Sequence, residues 1–270
     1  MLKFFFKKNF CDGWDNLFPI ILSNVFTIAL GFGAITVMWV ASHVSLLALF
    51  ATTILCTGIF MIPVFAQGAN ARKIADYNSP SFGLFFRSLL VVWKPAFAFG
   101  ALFSLLFILV TVGIRYYMRM FGSGNMLGLL LAALLFWFML ICLLALQWFL
   151  PFYFLQEENN FAKCVKKSFI IFFDNPAFSF AVFLYNIVLF VLSTMLFFFL
   201  PGTMGISLSL TNALRLRLYK YDWLEKMEEA EPGFSQNRDK RADVPWDELL
   251  AEDKEMLGPR GLKSLLFPWK

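Results

Sequence analysis

Charge is what this chain has least of, and where it is missing decides the class. No Asp, Glu, Lys or Arg falls between Asp15 and Arg72, between Arg119 and Glu157, or between Asp174 and Arg215. Soluble helices would need polar faces in those runs, so a single water-soluble domain is ruled out. Crossing about 30 Å of hydrocarbon takes roughly 20 consecutive apolar residues, and the first run has room for two crossings. The same gaps argue against a pump or proton-coupled carrier built on intramembrane carboxylates.

Other chemistry is also scarce. The single histidine, His43, has no second histidine or carboxylate nearby, so neither a metal site nor a histidine-based triad is supported. Four cysteines show no CxxC or Cys/His spacing. Cys56 and Cys142 fall inside expected spans and Cys11 and Cys164 in basic segments, so no disulfide is expected. No GxxxxGK[ST] is present, which excludes an ATPase of the P-loop kind in this chain. Gly31 and Gly33 read as a helix-packing notch. Glu157 and Glu158 are adjacent, so they do not face a common point, and capping of the next helix accounts for them. No catalytic residue, cofactor or metal ligand is assigned, and the expectation is that the chain is not an enzyme.

What the chain does have is a phrase used three times, about eighty residues apart. It runs Phe6-x-Lys8-Asn9-Phe10-x3-Trp14-Asp15-Asn16, then Phe85-x-Arg87-Ser88-Leu89-x3-Trp93-Lys94-Pro95, then Val165-x-Lys167-Ser168-Phe169-x3-Phe173-Asp174-Asn175-Pro176. Apolar residues recur every four positions up to the final aromatic, one stripe on a helix, with the basic residue on the opposite face. Such helices lie in the headgroup plane, apolar side down, so Lys8, Arg87 and Lys167 are expected to contact lipid headgroups. An apolar stretch follows each phrase. The expected fold is therefore an all-α integral membrane protein of three pseudo-repeated helical hairpins, each preceded by an interfacial amphipathic helix, with repeats at about 1–80, 81–160 and 161–214.

The spans read Leu17–Val40 and Val44–Phe65, turning at Ser42-His43; Pro95–Ile114 and Met126–Phe149, turning through Gly122 and Gly124; and Ala177–Leu200. After the Pro201-Gly202 break only Thr203–Leu214 remains, roughly 18 Å of helix. The reading is six spans, the last short or re-entrant, its Gly/Ser/Thr content suiting a place inside protein. Six spans put Lys3, Lys7, Lys8, Arg72, Lys73, Arg87, Lys94, Lys163, Lys166 and Lys167 on the side of both termini. Only Arg115 and Arg119 lie opposite, so the positive-inside bias makes both termini cytoplasmic. Met1–Lys8 leads into a stretch too long for a signal peptide, so the first span is expected to be retained.

Residues 1–214 hold 12 Lys/Arg against 6 Asp/Glu, and 215–270 hold 11 against 12. A basic membrane domain (1–214) and a nearly neutral cytoplasmic tail (215–270) follow, with anionic headgroups and no nucleic acid as partners. In the tail, Asp243 is expected to cap a short helix with Pro245 in its first turn and Trp246, Leu249, Leu250 and Met256 as its apolar face. Gly258-Pro259 ends that helix. The chain finishes on a basic, aromatic segment, Phe267 to Lys270, suited to a membrane surface or a partner. Neutral polar residues within or near the spans are Asn24, Gln67, Asn70, Gln147, Asn186 and Asn212. Hydrogen bonding between helices is the favoured role for them over lining a path.

Pro63–Arg72 running into Phe82–Arg87 and Trp93-Lys94-Pro95, with Pro151–Gln156, Asn160–Ser168 and Asp174-Asn175-Pro176, resembles the uncharacterised YesL-type family of bacterial integral membrane proteins. The resemblance covers roughly residues 14–214. It implies a bacterial cytoplasmic-membrane protein often encoded beside carbohydrate uptake systems, and it supplies no catalytic pattern. The long tail departs from the family. Two functions remain: a non-enzymatic accessory or scaffold component associated with carbohydrate transport, meeting transporter subunits through its tail, or a small-solute transporter in its own right. A lipid-modifying enzyme would need a nucleophile or base beside Arg115 and Arg119, and none stands there.

Overall fold

A computed structural model describes residues 1–157, 159–234 and 243–260. Glu158, much of the 232–241 linker and the Phe267–Lys270 segment therefore lie outside the described residues. Those described are helical, without a strand, and five helices are long and apolar enough to cross a membrane. The elements are α1 (Leu2–Asp15), α2 (Leu17–Val44), α3 (Leu46–Ala75), α4 (Phe82–Gly122), α5 (Leu127–Leu146), α6 (Phe149–Leu155), α7 (Phe161–Asp174), α8 (Pro176–Met195), α9 (Gly202–Ala230), α10 (Trp246–Leu249) and α11 (Ala251–Leu257). The five candidates are α2, α3, α4, α5 together with α6, and α8.

The first hairpin turns later than expected, at Ser45 alone. Its extended backbone leaves α2, and its hydroxyl accepts from Ala48 N to cap α3, so one residue closes one helix and opens the next. The second hairpin turns at Gly124, whose φ of +94° suits a residue without a Cβ. There Gly124 N donates to Phe121 O and Asn125 N to Met120 O, satisfying the carbonyls that α4 leaves open. The tightest approaches of glycine to backbone are not at Gly31 and Gly33. They lie between α3 and α4, where a methyl on Gly100 would lie 2.6 Å from Thr57 O, and between α4 and α5, where one on Gly128 would clash with Tyr117 O.

The three copies of the phrase fold in two ways. Copies one and three make the separate 14-residue helices α1 and α7. Each stops at an Asn whose amide donates to the carbonyl four residues back, Asn16 to Asp12 and Asn175 to Ile171, and the next helix starts at once. The second copy has Lys94-Pro95 at that place, and α4 runs through without a break. The expectation of a separate preceding helix therefore fails for this copy. No side chain there takes up the last carbonyls, so nothing ends the helix.

The core gathers where the hairpins meet, around Phe65, Phe85, Trp148, Phe149 and Phe178. Trp148 stacks on Phe178 at 6.0 Å and donates to Ser179 Oγ at 3.1 Å, which ties the α5–α6 junction to α8. Helix α9 runs inside this assembly, with Met204, Leu208, Ala213, Leu214 and Leu216 fully buried. It continues unbroken through Leu214 and Arg215, so the expected boundary between membrane domain and tail falls within a helix.

Asn24 fixes the start of α9. Its Nδ2 donates to Phe199 O at 3.0 Å and Pro201 O at 2.8 Å, while Oδ1 accepts from Met204 N at 3.0 Å. Helix α2 runs on from Asn24 to Val44, about 30 Å at the usual rise. The tip of the last hairpin is thus held opposite the first third of α2.

In the tail, Pro245 rather than Asp243 precedes α10, and the inward face is Leu250, Asp253 and Leu257. Met256, expected on the apolar face, is exposed. The spacing i, i+3, i+7 selects one side of a helix, and Met256 lies off it.

Candidate functional site

Helix α1 presents its phrase inside out. Leu2, Phe6, Phe10 and Trp14 form the exposed stripe, whereas Phe5, Lys8, Asn9, Cys11 and Asp12 face the protein. The polar face is spent on the chain itself, beneath the tail helix α11. Lys8 is 1% exposed, its Nζ 3.0 Å from Asp12 Oδ2 and 3.6 Å from the centre of the Tyr77 ring. A headgroup contact by Lys8 is therefore corrected: a lysine this deep cannot reach lipid, and its charge is met by Asp12 and an aromatic face.

From α9, Asn212 Nδ2 donates to Asp12 Oδ2 at 2.9 Å and Asn9 Oδ1 at 3.3 Å, while Asn9 Nδ2 donates to Tyr185 Oη at 3.0 Å. One turn on, Arg215 donates to Ala75 O and lies 3.4 Å from both Asp76 and Asp253. Tyr77 Oη donates to Asp253 O at 3.1 Å, which carries the network into α11. Tyr77 has φ +57°, a left-handed position that costs a side chain roughly 1–2 kcal/mol. It closes α3 as Gly124 closes α4, with Tyr77 N on Ile74 O and Asn78 N on Lys73 O. A glycine there could not put a ring over Lys8.

Burial dominates the electrostatics. It lowers the Lys8 ammonium from its usual range against the pull of Asp12, and it raises the Asp12 carboxyl against the pull of Lys8. Burial likewise raises the Tyr77 phenol, with Asp253 adding to the effect. Two residues on from Arg215 along α9, Arg217 lies 3.9 Å from the Phe178 ring, and burial brings its guanidinium down to about 10. Lys8 Nζ, Asn212 Oδ1 and Asp253 Oδ2 are shut from solvent without a well-aligned hydrogen bond among the described residues. The site holds charge tightly and is short of polar partners.

The other expected residues lie apart from this cluster. Arg87 is exposed on α4. Lys167 donates to Gln156 Oε1 at 2.7 Å and Asn159 Oδ1 at 2.8 Å, closing the loop ahead of α7. Gln67 Nε2 donates to Ser23 O at 3.2 Å and Gln147 Nε2 to Ser179 O at 3.0 Å, so each glutamine bridges two helices through a serine carbonyl. Asn70 donates to Ser81 O and accepts from Ser81 N, both at 3.1 Å, bracing the α3–α4 connection. Asn186 bonds back to Val182 O on its own helix. With Gln147, Thr203 and Ser207 it borders a cavity of about 310 Å³, otherwise lined by apolar side chains such as Phe99, Leu143 and Phe183. Sequence reasoning missed Asp12, Tyr77, Arg215 and Asp253 as a group. The signal available was an Asp four residues after Lys8 on α1, the spacing at which a buried pair forms.

Comparison with family models, curated proteins and solved structures finds no match for this chain.

Proposed function

We propose that this chain is a non-enzymatic integral membrane component, an accessory or scaffold subunit of a larger membrane assembly in the bacterial cytoplasmic membrane. One observation carries the reading: the buried amides join helix to helix. Asn24 holds the start of α9, Gln67 ties α3 to α2, Gln147 ties α5 to α8, and Asn212 ties α9 to α1. Polar groups used in this way set helix register. Carbohydrate transport as the setting rests on the YesL-type resemblance alone. Co-purification of permease or ATPase subunits with the tagged chain is the expected result. Uptake of a sugar by liposomes holding this chain alone would overturn the proposal.

The topology that accompanies it puts both termini in the cytoplasm. Helices α2 to α5 cross as two hairpins, and α8, although long and apolar enough to cross, enters and returns through α9 to the same side. The hold of Asn24 on the α9 start, with most of α2 still beyond, supports re-entry over a full sixth crossing. The cationic excess on that side supports the orientation. A reporter fused after Lys226 should stay cytoplasmic, and an external signal would refute the arrangement.

A small-solute transporter is the second reading. The 310 Å³ cavity bordered by Gln147, Asn186 and Thr203 favours it, as does the break in the chain between α8 and α9. The liposome experiment decides between the two.

A further inference from the structure

The segment 243–260 is bound to the rest of the chain as a ligand would be. It carries Asp243, Asp247, Glu248, Glu252, Asp253 and Glu255 against only Lys254 and Arg260. The contacts beneath it set cations against its acidic side. Arg215 lies 3.4 Å from Asp253, Lys7 donates to Gly258 O at 3.3 Å, and Trp246 packs near Arg217, while Asp15 on α1 receives the segment's own Arg260. Between those polar contacts, Leu250 and Leu257 are buried, at 1% and 4% exposure. A short helix showing Leu, Asp and Leu at i, i+3 and i+7 is thus held by two apolar anchors and one central carboxylate.

The fit is incomplete. A cleft of about 430 Å³ remains between Phe4 and Lys7 on α1 and Lys254, Glu255, Leu257 and Pro259 on the segment. Asp253 Oδ2 has no hydrogen-bond partner among the described residues, although it is closed off from water. A helix that belonged permanently to this fold would be expected to fill its groove and satisfy its central carboxylate.

We infer that the groove formed by α1, the Tyr77 turn and the Arg215–Arg217 stretch of α9 is a docking site for an acidic amphipathic helix of a partner protein, and that α10–α11 occupy it in the resting chain. Charge complementarity selects the partner's sign, and the two leucine seats select a helix with apolar residues seven apart. Displacement of the segment would take a carboxylate from Arg215 and a carbonyl acceptor from Lys7, which an acidic helix would then supply. The inference deepens the accessory reading by giving the class of partner. Peptide binding reports on the groove and co-purification on the assembly, so either can fail without the other.

The test uses the full chain in detergent micelles and a fluorescent synthetic peptide of the 243–260 sequence. Asp253→Lys in the chain sets a cation against Arg215 and should release the segment. The peptide is then expected to bind this variant at least tenfold more tightly than the parent, whose groove is taken. The same peptide with Asp253→Lys should not bind. A second chain variant, Leu250→Glu with Leu257→Glu, releases the segment through its apolar anchors and should behave alike if the first misfolds. Amide exchange over 250–257 should speed up in both. Equal peptide binding by parent and variants, or no binding by either, overturns the inference. So does a concentration-dependent dimer of the variants or the parent, since the natural occupant would then be a second copy.

Discussion

Asp12→Asn removes one charge from the most deeply buried ion pair on α1 and almost nothing else. The substituted amide keeps the shape, and its oxygen can still accept from Asn212. At 3.0 Å and an effective dielectric of about 20, the Lys8–Asp12 attraction is on the order of 5 kcal/mol. Breaking a buried pair by removing one partner typically costs 3–5 kcal/mol, because the remaining charge stays buried and unmatched. The Tyr77 ring, 3.6 Å from Lys8 Nζ, faces the ammonium in parent and variant alike and cancels, so the expected loss is about 3–5 kcal/mol. Unfolding in detergent, followed by heat or denaturant, reads it. Lys8→Met combined with Asp12→Asn should recover most of the loss, since no buried charge is left uncompensated. The pH dependence has a definite sign. Burial already holds Lys8 below its ordinary 10.5, and without Asp12 its value falls further. Its proton is then bound more weakly in the fold than in the unfolded chain, so stability rises as pH climbs towards 10.5. The deficit of Asp12→Asn should therefore narrow as pH climbs towards 10.5. A deficit that ignores pH, or a double variant no better than the single one, would refute the account of Lys8 as a charge held in the interior.

Asn24→Ala leaves Met204 N, Phe199 O and Pro201 O without their partner, and at about 1–3 kcal/mol for each group stranded a loss of at least 3 kcal/mol is expected. Thermal unfolding measures it, and a cysteine placed at Thr203 should become more open to labelling. Gly100→Val drives a side chain into the Thr57 carbonyl and should cost about 1–3 kcal/mol by prying α4 from α3, whereas Gly33→Val, with nothing within 4 Å, should be near neutral. Trp148→Phe loses the bond to Ser179 Oγ and, because Trp148 is fully buried, leaves a void beside Phe178, so a loss of about 2–4 kcal/mol is expected in the same assay.

The long apolar helices were legible because charge-free length is a direct physical requirement for crossing hydrocarbon. Boundaries inside the apolar runs were less so. Ser45 turns the first hairpin by taking an extended conformation and capping α3 with its own hydroxyl, and nothing in Ser42-His43-Val44-Ser45 ranks one serine over the other. The fate of each phrase depended on the two residues after its aromatic. Asn16 and Asn175 end a helix by donating to the carbonyl four back, and Pro95 does not. The ionic cluster was hidden for a different reason. Its members come from Lys8 and Asp12, from Tyr77, from Arg215 and from Asp253, four stretches that only the folded chain brings together.

The orientation of α1 follows from which solvent it meets. Periodicity in a sequence separates an apolar stripe from a polar one, but it does not say which of them faces the protein. In water the apolar stripe turns inward. Beside a bilayer the outside is apolar as well, so Leu2, Phe6, Phe10 and Trp14 lose nothing by staying exposed. The polar side then needs partners, and the interior of this chain supplies them, Asn212 from α9 and Tyr77 from the end of α3. Lys8 and Arg87 hold the same place in the phrase and end in opposite surroundings, one buried against Asp12 and the other exposed on α4. The difference lies in their neighbours. Lys8 has an Asp four residues on, and its helix is pressed beneath α11. Arg87 has Val91 at the same spacing, so turning inward would strand its charge, and it stays outside.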